Sequence, residues 1–394
     1  MTLGRYWVKL SEFVDINPRT SLPKGTEAEF VPMEALNPQR RYVKTYPKKK
    51  YSGGTKFING DTLFARITPC LENGKISQFI SDSNLPAFGS TEYWVLRAKE
   101  GVSDPSYVYY LAKSELLRRP AEKSMVGASG RQRAQIESIQ DIDIGNVSLD
   151  EQKKIAGALS AYDDLIENNS KRIEKLEAMA CLLYRHYFEV PEATDWEELP
   201  LSEALLVHRG KSYKGTELSE TQGLPFVNLK CVNRGGGFRK DGLKLFTGAY
   251  KQNQRVERGD LVMAVTDMTQ ERMIVARVAR VPSLDGGSGV ISMDMVKLEP
   301  KEGVSKDYLY AMLRWSRFSD EVKNHANGAN VLHLLPARIT DYSLPMPPQA
   351  LQRGFAEKIS PLFDLIDNLQ LKNEALAKAR DLLLPRLMSG EIDV

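Results

Sequence analysis

Cysteine is scarce in this chain: Cys70, Cys181 and Cys231 are three, odd in number and far apart, which excludes a disulfide framework and a structural zinc spacing. Each reads as a reduced, buried or half-buried thiol. The four histidines, His186, His208, His325 and His333, stand at no metal-ligand spacing with those thiols, so no metal is expected. No window approaches the roughly 18 apolar residues of a membrane span, so no membrane partner is expected either. Met1 to Leu10 carries charge and tryptophan where a secretory signal needs an apolar run, and a cytoplasmic location follows as an expectation. Charge of one sign is also missing. With 54 basic against 51 acidic residues the net charge is +3, so any nucleic-acid binding has to rest on local charge distribution or on a partner.

Motifs for chemistry are absent too. Gripping a flipped base for methylation needs a glycine-rich cofactor loop and an Asn/Asp-Pro-Pro-aromatic sequence. Asn17-Pro18-Arg19 and Asn37-Pro38-Gln39 lack both the second proline and the aromatic. The full Gly-x-x-x-x-Gly-Lys-Ser/Thr phosphate loop does not occur, and Gly235-Gly236-Gly237 without that context reads as a turn. Asp61 and Asp260 each follow a glycine and read as turn acceptors rather than metal ligands. The chain is expected to hold no catalytic residues and no cofactor.

What the chain does have is a repeat. Asp164-Leu165-Ile166 recurs 200 residues later as Asp364-Leu365-Ile366, and Lys99-Glu100-Gly101-Val102-Ser103 recurs as Lys301-Glu302-Gly303-Val304-Ser305. Phe57-Ile58-Asn59-Gly60-Asp61 answers Val256-Glu257-Arg258-Gly259-Asp260. At 394 residues, 42% hydrophobic and 27% charged, the chain can bury two or three real cores. Repeats of this size describe architecture. The order is globule, helix, globule, helix.

The first globule, roughly 1 to 146, reads as mixed strand and helix. Thr62 to Ala65 and Tyr93 to Leu96 are β-rich runs bounded by turn residues, and Pro105 to Leu117 changes to helical period. The second, roughly 191 to 346, repeats this with Leu261 to Val265, Val290 to Leu298, and a helix carrying Tyr308, Leu309, Met312 and Leu313. The connectors, 147 to 190 and 347 to 394, differ in kind. Ser148-Leu149-Asp150-Glu151 is a capping box, and Pro347-Pro348 can start the second connector in the same way. Pro361 is expected to interrupt the second helix, giving a short helix followed by a long one in each connector.

The long segments, Ala161 to Phe188 and Pro361 to Leu384, carry seams at alternating steps of four and three. The first is Tyr162, Ile166, Asn169, Ile173, Leu176, Ala180 and Leu183. The second is Leu362, Ile366, Leu369, Asn373, Leu376, Arg380 and Leu383. Antiparallel pairing with Asn169 on Asn373 keeps every seam residue opposite another. Parallel pairing at the repeat offset leaves each amide against an aliphatic side chain, at a cost of about 1 to 3 kcal/mol. The fold class is therefore α+β, with two similar mixed α/β domains separated by two long helices in an antiparallel coiled coil and related by a pseudo-twofold internal repeat. Helices of about 24 to 28 residues would run roughly 36 to 42 Å, close to the 34 to 36 Å or so of one DNA turn. The seam reads either as a ruler or as a staple between domains.

At this point the sequence resembles a known family. Ser148 to Phe188, SLDEQKKIAGALSAYDDLIENNSKRIEKLEAMACLLYRHYF, is similar to the central conserved region of specificity subunits of type I restriction-modification systems. Pro347 to Ile392, ending LLLPRLMSGEI, resembles their distal conserved region. RITPCLENGKIS (Arg66 to Ser77), GSTEYWVL (Gly89 to Leu96), NLKCVNRGGGFR (Asn228 to Arg239) and AVTDMTQER (Ala264 to Arg272) resemble their target recognition domains. The resemblance implies a non-catalytic subunit whose two domains each read half of a bipartite, asymmetric site in double-stranded DNA. It further implies that two methyltransferase subunits dock on the paired helices, that restriction-translocase subunits can join, and that S-adenosylmethionine and ATP belong to those partners.

Base readout needs side chains with paired donors and acceptors, whereas phosphate contacts need mainly cations and amides. In the first domain the candidates are Ser129 with Arg131, Gln132 and Arg133 after Gly130, and Arg66 with the loop carrying Thr68, Asn73 and Lys75. Lys48-Lys49-Lys50 reads as a phosphate contact or a surface charge run. In the second domain the candidates are Lys211, Tyr213 and Lys214; Arg234, Arg239 and Lys240 around the glycines; Asp267, Gln270, Glu271 and Arg272 after a strand; and Asn327, Asn330 and His333, where the repeat places Ser129 to Arg133. For any one of these the competing reading is a solvated loop. The competing reading for the whole chain is a coiled-coil scaffold whose globules bind proteins.

Overall fold

The computed structural model describes residues 7–43, 47–83, 85–190 and 195–394. Met1 and Pro191, at which the two recognition domains were expected to start, lie outside the described residues. The chain divides into two compact units: residues 1–170 with 372–394, and residues 171–371. Each unit is one mixed module together with one half of each long helix.

In the first unit the strands are β1 (Trp7–Lys9), β2 (Val14–Ile16), β3 (Glu27–Val31), β4 (Lys48–Lys50), β5 (Thr55–Phe57), β6 (Thr62–Ala65), β7 (Ile76–Gln78), β8 (Ala87–Gly89), β9 (Tyr93–Ala98) and β10 (Asp143–Gly145). They form sheets of order β2-β9-β6-β7 and β4-β3-β8-β5, with β1 pairing β10. In the second unit they are β11 (Glu198–Pro200), β12 (Leu205–Arg209), β13 (Leu218–Ser219), β14 (Leu224–Val227), β15 (Lys244–Phe246), β16 (Arg255–Glu257), β17 (Leu261–Ala264), β18 (Thr266–Asp267), β19 (Val278–Arg280), β20 (Ser288–Ile291), β21 (Met295–Pro300), β22 (Leu332–His333) and β23 (Ser343–Pro345). The orders β12-β21-β17-β19 and β13-β15-β14-β20-β16, with β11 pairing β23, repeat the first unit strand for strand apart from the added β13 and the β18-β22 pair. One parallel pair sits in the same place in each, β3 with β8 and β14 with β20. The predicted helix over Pro105 to Leu117 is Pro105–Lys113, broken at Ser114 before Glu115–Lys123.

The aspartates after Gly60 and Gly259 are turn acceptors, as their positions predict. Asp61 accepts from the Ile58 amide at 2.7 Å and Asp260 from the Glu257 amide at 3.0 Å. Each also meets a cation from the neighbouring strand, Arg97 at 2.7 Å and Lys297 at 2.8 Å.

The long helices are Leu149–Phe188, 40 residues, and Gln349–Ser389, 41 residues. At about 1.5 Å per residue each rises roughly 60 Å, well beyond the length expected from the seams alone. Ser148 and Glu151 make the predicted capping box, with the Ser148 amide on the Glu151 carboxylate at 3.1 Å. Pro361 does not interrupt the second helix. It lies on an exposed side, so the carbonyl of Glu357 that loses its partner is open to water, while Phe355, Ile359, Phe363 and Ile366 around it are buried in one cluster. Burial on both sides of the proline outweighs the missing bond, and neither connector breaks into a short and a long helix.

The pairing is antiparallel in each unit. In the first, the Asn169 amide donates to the Asn373 side-chain oxygen at 2.9 Å, and Asn373 donates on to the Ser170 hydroxyl at 3.4 Å. About two turns away Asp163 and Arg380, both buried, form an ion pair, and the Tyr110 hydroxyl donates to the other Asp163 oxygen at 2.6 Å. In the second, the Phe355 ring sits 4.9 Å from Phe188 and 5.6 Å from Tyr187. Of the predicted seam, Ile166, Ile366 and Leu369 are buried; Ile173, Leu176, Leu183, Leu376 and Leu383 are half-buried. Arg380 occupies an apolar seam position because Asp163, next to the predicted Tyr162, turns inward to meet it.

Each helix start is pinned to its module by a buried glutamine. Gln152 accepts from the Asp104 amide at 2.8 Å and donates to the carbonyls of Val147 and Val102 at 2.8 and 2.9 Å. Gln352 accepts from the Ser305 amide at 3.1 Å and donates to the Pro347 carbonyl at 2.9 Å. The repeated Lys-Glu-Gly-Val-Ser word is the turn leading into the amide each glutamine holds.

Replacing Asn373 with leucine strands the Asn169 amide and is expected to cost about 1 to 3 kcal/mol in urea unfolding. Leucine at both positions should recover most of that loss, as a double-mutant cycle would show.

Candidate nucleic-acid interface

Two loops meet at the end of the central strand of each module. In the first unit β6 ends at Ala65, and the Arg66 amide bonds the Glu92 carbonyl at 3.0 Å. The chain then pairs with a hairpin over 126–133: the Thr68 amide donates to the Gln132 carbonyl at 2.9 Å, and Ile67 bridges Arg133. The hairpin closes through reciprocal bonds between Val126 and Arg133, at 3.0 and 2.9 Å. Gly127, at φ +134°, makes the turn possible, since a β-carbon there would stand 3.1 Å from the Arg131 carbonyl oxygen.

The second unit repeats this construction. The Val265 amide bonds the Asp294 carbonyl at 2.9 Å, Thr266 pairs with His333, and reciprocal bonds join Asn327 and His333 at 3.0 and 2.9 Å. Gly328, at φ +152°, takes the place of Gly127. The backbone therefore sets Arg133 and His333 at one position, and Glu92 and Asp294 at another.

Of the predicted residues, the first unit brings Arg66, Thr68, Ser129, Arg131, Gln132 and Arg133 together. Ser129, Arg131 and Arg133 are exposed. Asn73 is exposed at the far end of the 68–75 turn, and the Lys75 ammonium is occupied by the Met33 carbonyl at 3.0 Å. In the second unit Asp267, Gln270, Arg272, Asn330 and His333 come together. Gln270 donates to the Ala329 carbonyl at 3.1 Å and Arg272 to the Ala326 carbonyl at 3.4 Å, tying loop to hairpin. Lys211 adjoins the same face through backbone bonds with Ile291 and Met293 at 2.7 and 2.8 Å. Lys214 is exposed, whereas the Tyr213 ring packs 4.8 Å from Phe226. The glycine turn carrying Arg234, Arg239 and Lys240 is anchored on the Val278 carbonyl through Gly237, and Arg239 is paired with Asp241 at 2.5 Å.

Asp267 is buried and holds its own loop. It accepts from the amides of Thr269, Ile274 and Val275 at 3.0, 2.7 and 3.2 Å. Burial alone would raise its pKa, and those amides outweigh burial and leave the carboxyl below the usual range.

Glu92, which the sequence gave no reason to select, stands at the centre of the first face. Arg133 grips it bidentately, Nε to Oε1 at 2.9 Å and Nη2 to Oε1 at 2.7 Å with Nε to Oε2 at 3.1 Å, and Arg66 Nε reaches Oε2 at 3.2 Å. The Glu92 side chain is 17% exposed while Arg133 is 45% exposed, so the acid lies beneath the bases. Beside it runs an open groove lined by Arg19, Lys56, Arg66 and Thr91. Arg19 and Lys56 were also missed, because residues far apart in sequence meet there only through the sheet.

Among the described residues no group of His, Cys, Asp or Glu is placed to hold a metal ion. Burial pushes the Cys231 thiol up to about 12, which removes it as a nucleophile at neutral pH. Among the described residues no helix is long and apolar enough to cross a membrane.

Comparison with known proteins agrees with this geometry. Residues 7–178 match the type I restriction modification DNA specificity domain. The chain is 28% identical to the type I restriction enzyme MjaIX specificity subunit of Methanocaldococcus jannaschii over 75% of this chain and 71% of that one. It is 24% identical to the putative MjaX specificity subunit of the same organism over 86% and 80%. In fold it is similar to the crystal structure of the type I restriction-modification system S subunit from M. genitalium, with a TM-score of 0.52, 16% identity, and coverage of 97% and 95%. The chain is similar to the specificity subunits of type I restriction-modification systems over most of its length, and to their DNA specificity domain over residues 7–178.

The hydrogen bonds from Arg133, opposed by partial burial and aided by Arg66, hold the Glu92 carboxyl below the usual range. A lowered folded pKa contributes stability that is present above about pH 4.3, the unfolded value, and is lost as pH falls through the folded one. Carboxyl NMR should place the Glu92 midpoint below 4.3 or so, and Arg133→Ala should move it upward.

Proposed function

We propose that this chain supplies DNA sequence specificity to a type I restriction-modification assembly, each module reading one half of a bipartite, asymmetric site. The observation that carries this reading is one two-loop face built twice on the same backbone and given different side chains. The first presents Arg66, Thr68, Ser129, Arg131, Gln132 and Arg133; the second presents Gln270, Arg272, Asn330 and His333, with Lys211 beside them. Two structural staples would have no reason to differ at those positions in particular. Arginine suits guanine and glutamine or asparagine suits adenine, so the two halves should differ in sequence.

In this reading the recognition domains are residues 1–146 and 191–346, and the helical spacers are 147–190 and 347–394. Asn73, Lys75, Tyr213, Lys214, Arg234, Arg239 and Lys240 support the readers or contact phosphate, and Asp267 shapes the loop that carries Gln270 and Arg272. The chain is a non-catalytic subunit. Two methyltransferase subunits dock on the helices, restriction-translocase subunits complete the nuclease, and the helices set the gap between half-sites. The net charge of +3 fits a subunit that holds DNA together with partners rather than alone.

Mapping methylated sites in cells expressing the chain with its methyltransferase partner tests the reading: one bipartite motif is expected, and methylation independent of this chain would refute it. Arg131→Ala should weaken one half-site only, by roughly 1 to 3 kcal/mol for a base contact. An equal loss on unrelated DNA would make it a phosphate contact. Inserting one heptad into both long helices should change the gap and leave both half-sites intact.

A further inference from the structure

The half-buried carboxylate of Glu92 beneath the first reading face calls for an explanation, because an acid beside a DNA-binding surface repels phosphate. Arg133 uses its Nε and Nη2 for Glu92, which fixes the plane of the guanidinium and leaves Nη1 and the second Nη2 proton on the outward edge. Among the described residues Nη1 meets only the Arg131 carbonyl, at 3.5 Å. A phosphate contact needs a positive charge but no such orientation. A bidentate contact to the O6 and N7 of guanine needs both. Arg66, bound to the same carboxylate, keeps the cluster positive although one acid sits within it.

The second module lacks this arrangement. Asp294 takes the position of Glu92 and accepts from the Thr266 hydroxyl at 3.1 Å, while Val265 and His333 stand where Arg66 and Arg133 do. The difference is confined to side chains on a shared backbone.

We propose that Glu92 is a positioning residue that aims the outward edge of Arg133 at a guanine in the half-site read by the first module, and that the second module has no counterpart of this contact. The inference rests on the DNA-reading function proposed above and adds the base read and the residue that orients its reader.

The test uses the assembled complex of this chain with its methyltransferase partner. Duplexes carrying the mapped motif, with each base pair of both half-sites varied in turn, report discrimination by competition binding. The wild type should prefer guanine at one first-half position by on the order of tenfold or more. Glu92→Gln and Arg133→Lys should each abolish most of that preference at that position alone. Arg133→Lys keeps the charge and loses the fork, so its affinity for unrelated DNA should stay within about twofold of wild type. Unchanged discrimination across the second half-site shows in the same experiment that each variant is folded. Full discrimination retained by Glu92→Gln, or an even loss across the whole first half, overturns the proposal while leaving the parent reading intact. A wild-type complex with no bipartite motif removes both.

Discussion

The register of the two long helices is the constraint on which the rest depends. Neither helix can bury its seam alone, and each finds its partner about two hundred residues away. What fixes the register is polar. Asn169 meets Asn373, and Asp163 meets Arg380 and the Tyr110 hydroxyl, all of them where water is largely excluded. A slip by one heptad would keep apolar residues facing apolar residues but leave an amide and a guanidinium without partners. Breaking a buried ion pair by removing one partner costs about 3 to 5 kcal/mol, so the slipped pairing is disfavoured by more than its apolar area suggests. Gln152 and Gln352 then carry the register into the modules, since each bonds the helix start to the turn before the module's own main helix.

Within a module the scaffold and the variable positions are separate. Main-chain bonds bring the end of the central strand to the hairpin, and a glycine at positive φ closes that hairpin in both copies. Side chains contribute little to the geometry at Arg133 or His333, so those positions are open to exchange without loss of the frame. That is how one fold accommodates two different surfaces. Asp267 marks the limit, because its carboxylate holds three amides of its own loop and its exchange would release the segment bearing Gln270 and Arg272.

Much of this was legible in the residues. The repeated Asp-Leu-Ile and Lys-Glu-Gly-Val-Ser words gave the modular order, the asparagines in the seams gave the antiparallel pairing, and the glycine-aspartate pairs gave the strand turns. The failures share one physical cause, which is that local rules yield to long-range packing. Pro361 has the properties of a helix breaker, yet Phe355, Ile359, Phe363 and Ile366 are buried as one stripe around it. Tyr162 fits the seam period better than Asp163, but only Asp163 can neutralise Arg380. Glu92 lies in an unremarkable turn between strands, and its importance depends on Arg66 and Arg133, 26 and 41 residues away. Neither Arg19 nor Lys56 carries a local signal, because the groove they line exists only once the sheets have formed.

The division of the chain into units also bears on its synthesis. The first unit needs residues 372–394 to complete its core, where Leu384 and Leu387 pack with Leu159 and Ile155. A ribosome making this protein must therefore translate the entire second module before the first can finish burying its helix. At about 5 to 20 residues per second, that interval lasts on the order of 10 to 40 s. Throughout it the nascent chain displays an unpaired apolar stripe, and a prematurely terminated product would keep that stripe exposed to water.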